Sequence, residues 1–212
     1  MIGVHDLWLF AASSLLLAIT PGPDTLYIVG RTTTQGVKAG SVAALGVGTG
    51  IVIHTAAAAV GISAVLVASA TAFLILKLMG AAYLVYVGLS LIRSSLHSTA
   101  VIADTPSSKS RLSVVFRQGF LTNVLNPKVA LFFIAFLPQF IDLSAPNQVL
   151  SLLFLGVLFN LIGTLWNLGV AWSAARLTES LRQRPVVGAW FNRSVGAFFV
   201  YLGVKVALQR EG

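Results

Sequence analysis

The chain has 212 residues, of which 57% are hydrophobic and 9% are charged, and its formal net charge is +8. A soluble domain carries roughly 25% charged residues, so this composition excludes an ordinary water-soluble domain and favours a membrane protein. The basic residues lie between apolar blocks rather than along one face, which argues against a nucleic-acid interface. The absence of cysteine excludes disulfides and thiolate metal sites.

Six apolar blocks follow one another along the chain, each long enough to cross a hydrocarbon core of about 30 Å as an α-helix. We place them at about 4–29, 39–68, 72–92, 116–141, 148–175 and 187–208. None shows the alternation of apolar and polar residues that is typical of membrane-spanning strands. The sequence therefore predicts an all-α, polytopic membrane bundle of six transmembrane helices, forming a single domain over residues 1–212.

The polar segment at about 93–115 divides the chain into two halves, about 1–92 and 116–212, with three predicted spans each. The predicted loops two and four contain no Lys or Arg, whereas loops one, three and five contain ten: Arg31, Lys38, Arg93, Lys109, Arg111, Arg117, Arg176, Arg182, Arg184 and Arg193. The positive-inside rule then places the segment 93–115 in the cytoplasm and both termini outside. Because each half has three spans, the halves enter the membrane with opposite polarity, which predicts an inverted 3+3 repeat.

Proline interrupts the first and the fourth predicted spans. The first span contains Thr20-Pro21-Gly22-Pro23-Asp24, and the fourth contains Asn123 and then Asn126-Pro127-Lys128. Proline removes a backbone donor, and backbone groups freed in this way are tolerated in a membrane only where they face protein or a water-filled cavity. Broken spans at corresponding positions of two halves indicate the central site of a transporter. Both interruptions are therefore candidate substrate-binding segments, with a simple packing kink as the alternative.

Asp24 and Lys128 are charged residues within predicted spans, where a charge costs about 2.5–3.5 kcal/mol to insert. Asp24 has two interpretations: it caps the half-helix that follows it, or it binds an ammonium group or a proton. Lys128 needs a partner when buried, and Asp24 is the acidic side chain at comparable depth; alternatively, Lys128 extends along a water-filled crevice. His54, in the second span, is a further candidate for proton coupling, although a lone buried histidine is more often a packed, hydrogen-bonded residue.

Other residues of the spans support transport rather than catalysis. Gly46 and Gly50 have the spacing of close helix packing, and Asn160, Trp166 and Asn167 are candidates to line a cavity. The spans contain no HExxH or GxSxG motif and no carboxylate pair, so we expect neither enzymatic activity nor a cofactor. A channel for small polar solutes and a structural assembly subunit are the alternatives from other functional classes.

Five segments, in order, carry a resemblance to a known family. They are TPGP at 20–23, GVKAGSVAALGVGTG, LKLMGAAYLVYVGLSLIRSS, FRQGFLTNVLNPKVALFFIAFLPQFI and FNRSVGAFFVYLGVKVAL. Through them the chain resembles the LysE/RhtB family of amino-acid exporters, nearly from end to end. The resemblance implies six spans in a bacterial inner membrane and export of amino acids driven by the proton-motive force. It is nearer to the branch that exports neutral amino acids such as homoserine, threonine and leucine than to exporters of basic ones.

The resemblance and the residues together predict a mechanism of alternating access between the two halves, with the substrate bound where the two broken helices approach. An amino acid is a zwitterion, so its carboxylate would meet Lys128 and its ammonium Asp24 or the carbonyls released by Pro21 and Pro23. Asp24, or else His54, would carry the coupled proton. The expected partners are thus an amino acid, protons and the lipid bilayer, with a homo-oligomer left open.

Overall fold

A computed structural model of the protein describes residues 3–68, 110–142 and 146–182, together with isolated positions between 71 and 93 and between 193 and 208. Its helices are α1 (Leu7–Ile19), α2 (Pro23–Gln35), α3 (Val37–Ala68), α4 (Leu112–Val124), α5 (Pro127–Phe136), a 3₁₀ turn (Leu137–Phe140) and α6 (Gln148–Arg182). In these ranges the chain has no strand beyond one isolated bridge between Val4 and Ile141. The prediction of an all-α bundle is confirmed.

The helices have the lengths and breaks that a membrane bundle requires. Residues Val37–Gly61 of α3 and Gln148–Ala174 of α6 are each long and apolar enough to cross a membrane. The pair α1 and α2 is bent by 53°, and the pair α4 and α5, continued to Phe140, by 48°. The first and fourth spans are therefore broken, as predicted. The predicted spans 72–92 and 187–208 lie largely outside the described residues.

Several basic residues assigned to loops belong to helices instead. Arg31 lies in α2, Arg117 in α4, and Arg176 and Arg182 in the last part of α6. Arg31 lies one turn before the end of α2 and Arg182 is the last residue of α6, whereas Arg117 lies in the middle of α4. The orientation of the chain in the membrane therefore stays a prediction.

The breaks follow from proline at the first helical position. Gly22 precedes α2 in an extended conformation, and Pro23 begins that helix. Asn126 precedes α5, its side chain accepts the backbone N–H of Lys128 at 3.0 Å, and Pro127 begins that helix. Proline suits this position, because its missing N–H would have no helical partner there and its φ is already helical. Both spans thus restart as new helices after an interruption.

Two apolar clusters flank the level of the breaks. The phenylalanine cluster lies on the side of α1 and α5 and includes Phe10, Phe132, Phe133, Phe136, Phe140 and Phe159. The aliphatic cluster lies on the side of α2 and α4 and consists of Ile28, Ala43, Ala44, Val47, Val115 and Ala171. Because α3 and α6 contribute to both clusters, they are the continuous supports that hold the broken helices in place.

Glycine brings α3 close to α4. A Cβ added to Gly46 would collide with the backbone carbonyl of Phe116, and one added to Gly50 would lie 2.7 Å from the side chain of Asn123. Gly119 of α4 has the same role, since its added Cβ would lie 2.6 Å from the carbonyl oxygen of Ala43. The packing role expected for Gly46 and Gly50 is confirmed, and it positions Asn123 just ahead of the second break.

Candidate functional site

Lys128 joins the second break to the first. Its Nζ donates hydrogen bonds to the carbonyl oxygens of Leu17, at 2.9 Å, and of Thr20, at 2.8 Å. The Leu17 carbonyl would normally accept from the residue four positions later, which is Pro21 and has no N–H. The ammonium therefore replaces the donor that proline removes, at the end of α1 where the helix dipole favours a cation. No direct ion pair joins Lys128 to Asp24.

Asp24 is held by the amide side chains of the second break. Its Oδ2 accepts from Asn123 Nδ2 at 2.8 Å and from Asn126 Nδ2 at 3.1 Å. Its Oδ1 is buried and accepts no hydrogen bond from any described residue. Asp24 lies in the first turn of α2, but no side chain caps that helix. The helix dipole stabilises the carboxylate at this position. Asp24 does not, however, make the hydrogen bond to the start of α2 that a helix cap would make.

Asn123 is a site residue that the sequence analysis did not select. Its side chain is 0% exposed, and its Oδ1 is buried without a hydrogen-bond partner among the described residues. A signal was present: Asn123 and Asn126 are three residues apart, so their side chains lie on neighbouring positions of one helical turn. Asparagine is common in helix contacts within membranes, however, and that spacing alone does not identify a partner.

His54 does not line the cavity, but it forms a hydrogen bond with Asn123, which does. Its Nε2 lies 3.0 Å from the Asn123 carbonyl oxygen, and because a carbonyl only accepts, Nε2 carries the proton of this hydrogen bond. The ring is 8% exposed and packs beside Phe133. An amide does not titrate near neutral pH, so the connection from His54 through Asn123 to Asp24 is not a continuous chain of titratable groups.

A cavity of about 430 Å³, including its open mouth, lies at the level of the breaks. Five predicted site residues line it: Thr20, Gly22, Asp24, Asn126 and Lys128. Pro21, Pro23 and Pro127 are exposed and do not line it; they shape the backbone that does. Of the three candidates in α6, Asn167 lines the cavity, whereas Asn160 accepts a hydrogen bond from Thr164 and lies outside the lining. The Trp166 indole N–H is buried without a partner among the described residues.

The cavity lining combines polar and apolar residues. Asp24 and Lys128 supply both signs of charge, Asn123 and Asn126 supply two amides, and Leu17, Val47, Ile51 and Phe159 supply apolar surface. No group of metal-binding side chains occurs within the described ranges. This arrangement is suited to a small molecule that carries both an ammonium and a carboxylate.

A family model described as LysE type translocator matches residues 15–210. The chain belongs to this family. Among the similar proteins, "Uncharacterized membrane protein PA4757" of Pseudomonas aeruginosa is 32% identical over 97% of this chain and 96% of its own length. "Leucine efflux protein" of Salmonella typhimurium is 26% identical, with the same two coverages. "Uncharacterized membrane protein YrhP" of Bacillus subtilis is 30% identical over 97% of this chain and all of its own length. No solved structure gives a significant match.

The match to the LysE type translocators includes both breaks and every residue that lines the cavity. The relatives cover the chain almost completely, so the resemblance is one of whole proteins rather than of a shared segment. The sequence-based assignment to this family is confirmed. The chain is a multi-pass membrane protein of a transporter family.

Proposed function

We propose that this LysE type translocator exports amino acids across the bacterial inner membrane, that its substrates are neutral amino acids, and that the proton-motive force drives it. One observation carries the proposal. The buried Oδ1 atoms of Asp24 and Asn123 accept no hydrogen bond from any described residue, and the Lys128 ammonium lies in the lining of the same cavity. A buried acceptor without a donor costs free energy. A ligand that donates N–H groups to these two oxygens would remove that cost and would bind more tightly as a result.

A zwitterion fits these groups in one orientation. The substrate ammonium would donate to Asp24 Oδ1 and Asn123 Oδ1, which are shielded from water here, so the two side chains must turn slightly towards the cavity. The substrate carboxylate would accept from Lys128, whose ammonium has three N–H groups and uses two on the α1 carbonyls. A Cβ at position 22 would lie in van der Waals contact with Nζ, at 3.5 Å. Because residue 22 is glycine, this side of the ammonium stays open to the substrate.

The rest of the lining favours a neutral side chain. Leu17, Val47, Ile51 and Phe159 supply its apolar surface, and Asp24 is the one acidic residue in the lining among the described residues. A basic substrate would need a second carboxylate for its side chain, since a buried unpaired charge is strongly disfavoured. The relative named as a leucine efflux protein agrees with this choice. The alternative substrates are basic amino acids or another small polar metabolite, and export of one of these in place of a neutral amino acid would show that the proposed substrate class is wrong.

Proton coupling would use Asp24 directly. A carboxylate can hold either a proton or an ammonium group, so a proton that binds Asp24 displaces the substrate. With the termini outside and the segment 93–115 in the cytoplasm, substrate would bind from the cytoplasm to ionised Asp24, and protons from outside would release it. The halves would then alternate about the level of the breaks.

The decisive test is efflux from proteoliposomes loaded with a panel of radiolabelled amino acids. We expect saturable efflux of at least one neutral amino acid, faster when the side receiving the substrate is acidic, and none from protein-free liposomes. A flux that neither saturates nor responds to the gradient would indicate a channel. If no amino acid moves while a sugar or an amine does, the proposed substrate class is wrong.

Orientation has a separate test, since the chain lacks cysteine and single cysteines can be introduced without background. In intact cells a cysteine at Ser107 should be shielded from an impermeant thiol reagent, and one at Ser144 should react. The opposite pattern would place the termini in the cytoplasm and reverse the proposed direction of entry and release.

A further inference from the structure

A further buried charge, Arg31, does not line the cavity. Arg31, one turn before the end of α2, is 8% exposed. Its guanidinium donates to Gln118 Oε1 at 2.7 Å, to Gln35 Oε1 at 3.2 Å and to Ser110 Oγ at 3.3 Å. It also lies 5.5 Å from the centre of the Tyr27 ring. No carboxylate binds it in the described part of the chain.

Such a set of partners is unusual for a buried arginine. A guanidinium removed from water normally pairs with a carboxylate or a phosphate, because its planar fork of donors matches two anionic oxygens. Here every acceptor among the described residues is a neutral amide or hydroxyl oxygen, so no described anion compensates the positive charge. A ligand carboxylate would therefore bind more strongly than the Gln118 amide oxygen that now occupies the shortest hydrogen bond.

Arg31 is aligned with the cavity along α2. It follows Asp24 by seven residues, which is about two helical turns and about 10 Å on the same face. Asp24 contacts Asn123 and Arg31 contacts Gln118, so both side chains face the helices of the second half. Tyr27 lies between them and donates to the Val115 carbonyl at 2.8 Å. Polar contacts thus run from the cavity to the end of α2 that is predicted to face the cytoplasm.

We propose that Arg31 is a second binding site, which takes the carboxylate of an amino acid arriving from the cytoplasmic side before the substrate reaches Asp24 and Lys128. The carboxylate replaces Gln118 Oε1 on the guanidinium. Since the Arg31–Gln118 bond joins α2 to α4, its replacement also removes one of the contacts that close this end. The inference rests on the proposed function and adds to it a site of first contact.

Gln118→Glu is the most informative variant, because glutamate keeps the shape of glutamine and gives Arg31 a permanent carboxylate. That internal anion competes with the substrate, so we expect KM on the cytoplasmic side to rise about tenfold or more. Gln118→Met removes the competitor and should lower KM. If the Arg31–Gln118 contact were only structural, the order would be reversed: the glutamate would strengthen the contact and the methionine would impair the protein.

Arg31→Gln and Arg117→Gln form a matched pair. Arg117 is exposed on α4 beside Gln118 and belongs to the same end of the bundle, so both variants remove one positive charge there. We expect KM to rise about tenfold for Arg31→Gln and to stay at the wild-type value for Arg117→Gln. Arg31→Lys, which keeps the charge without the planar fork, should be intermediate.

The measurement is the initial rate of uptake of radiolabelled L-leucine, or of the panel amino acid that the wild-type protein moves, into inside-out membrane vesicles. Rates are divided by the amount of monodisperse protein, so that a variant that folds poorly is recognised. Wild-type KM values for both Gln118→Glu and Arg31→Gln would overturn this inference and leave the proposed function intact. A wild-type protein that moves no amino acid of the panel would overturn the proposed function and this inference with it.

Discussion

The two breaks both contain proline, but their polar groups are hydrogen-bonded to different degrees. At the second break, Asn126 caps α5 and Lys128 donates to two carbonyls of α1, so these two side chains have partners, whereas Asn123 Oδ1 has none among the described residues. At the first break, Asp24 receives two amide hydrogen bonds on one oxygen and none from described residues on the other. Lys128 therefore has a structural role in addition to its proposed role in binding, whereas one oxygen of Asp24 is available for the proposed ligand.

Each break also supplies what the other lacks. The end of α1 needs a donor, which comes from Lys128, and the carboxylate at the start of α2 needs donors, which come from Asn123 and Asn126. These side chains come from different halves of the chain. Any relative movement of the halves must therefore break or exchange hydrogen bonds at the level where the substrate is proposed to bind.

The largest effect is expected for Lys128→Met, which should lower both stability and transport. Two carbonyls of α1 lose their donor, at a cost of about 1–3 kcal/mol for each unsatisfied buried group, and the substrate carboxylate loses its counter-charge. Thermal denaturation of the purified protein and efflux per folded molecule measure the two effects separately. Lys38→Met, at an exposed position at the start of α3, is the matched control and should change neither. Full stability in Lys128→Met would contradict a structural role for its ammonium.

Asp24→Asn should abolish transport and leave the fold intact. The substituted amide can still accept from Asn123 and Asn126 through its oxygen, so the melting temperature should change little. The negative charge is lost, and efflux per folded molecule should fall about 100-fold, together with its response to a pH gradient. Asp6→Asn, which changes an exposed acid before α1, should transport normally. Wild-type efflux and an unchanged pH response would show that Asp24 does not bind the substrate or the proton.

Asn123→Ala tests the residue that holds Asp24 from the second break. The carboxylate keeps only its longer hydrogen bond, to Asn126, and the substrate ammonium loses one acceptor, so we expect KM to rise about tenfold. The maximal rate should fall less than in Asp24→Asn, because the charged carboxylate remains. An unchanged KM in efflux assays would remove Asn123 from the proposed site.

The smallest effect is expected for His54→Gln. The amide of glutamine can donate to the Asn123 carbonyl in place of Nε2, so the position of Asn123 should be preserved, whereas the imidazole ring is lost. Efflux and its response to the pH gradient should stay within about twofold of the wild type. A lost gradient response with normal binding would instead identify His54 as the proton carrier and Asp24 as a binding group only.

Much of the fold could be predicted from the sequence, because its causes are local. A block of apolar residues is stable as a helix in lipid wherever it occurs, and proline interrupts the backbone hydrogen bonds at its own position. The prediction of 39–68 for the second span lies close to Val37–Ala68, and both breaks fall at the predicted prolines. The first span was predicted to end at 29, whereas α2 continues to Gln35, because Arg31 donates to Gln118 of the second half and Gln35 donates to Ser110, near the end of the segment 93–115.

The contacts that make the site were decided by the tertiary structure alone. Asp24 and Asn123 are 99 residues apart in the chain, and Lys128 and Leu17 are 111 residues apart. Local sequence shows that a buried lysine needs acceptors, but whether these are a carboxylate or two carbonyls depends on how the halves pack. Asp24 was the expected partner of Lys128, yet the freed carbonyls of α1 take that place. The reason is geometric: Pro21 leaves an acceptor unpaired where Lys128 reaches, and only the packed helices bring the two together.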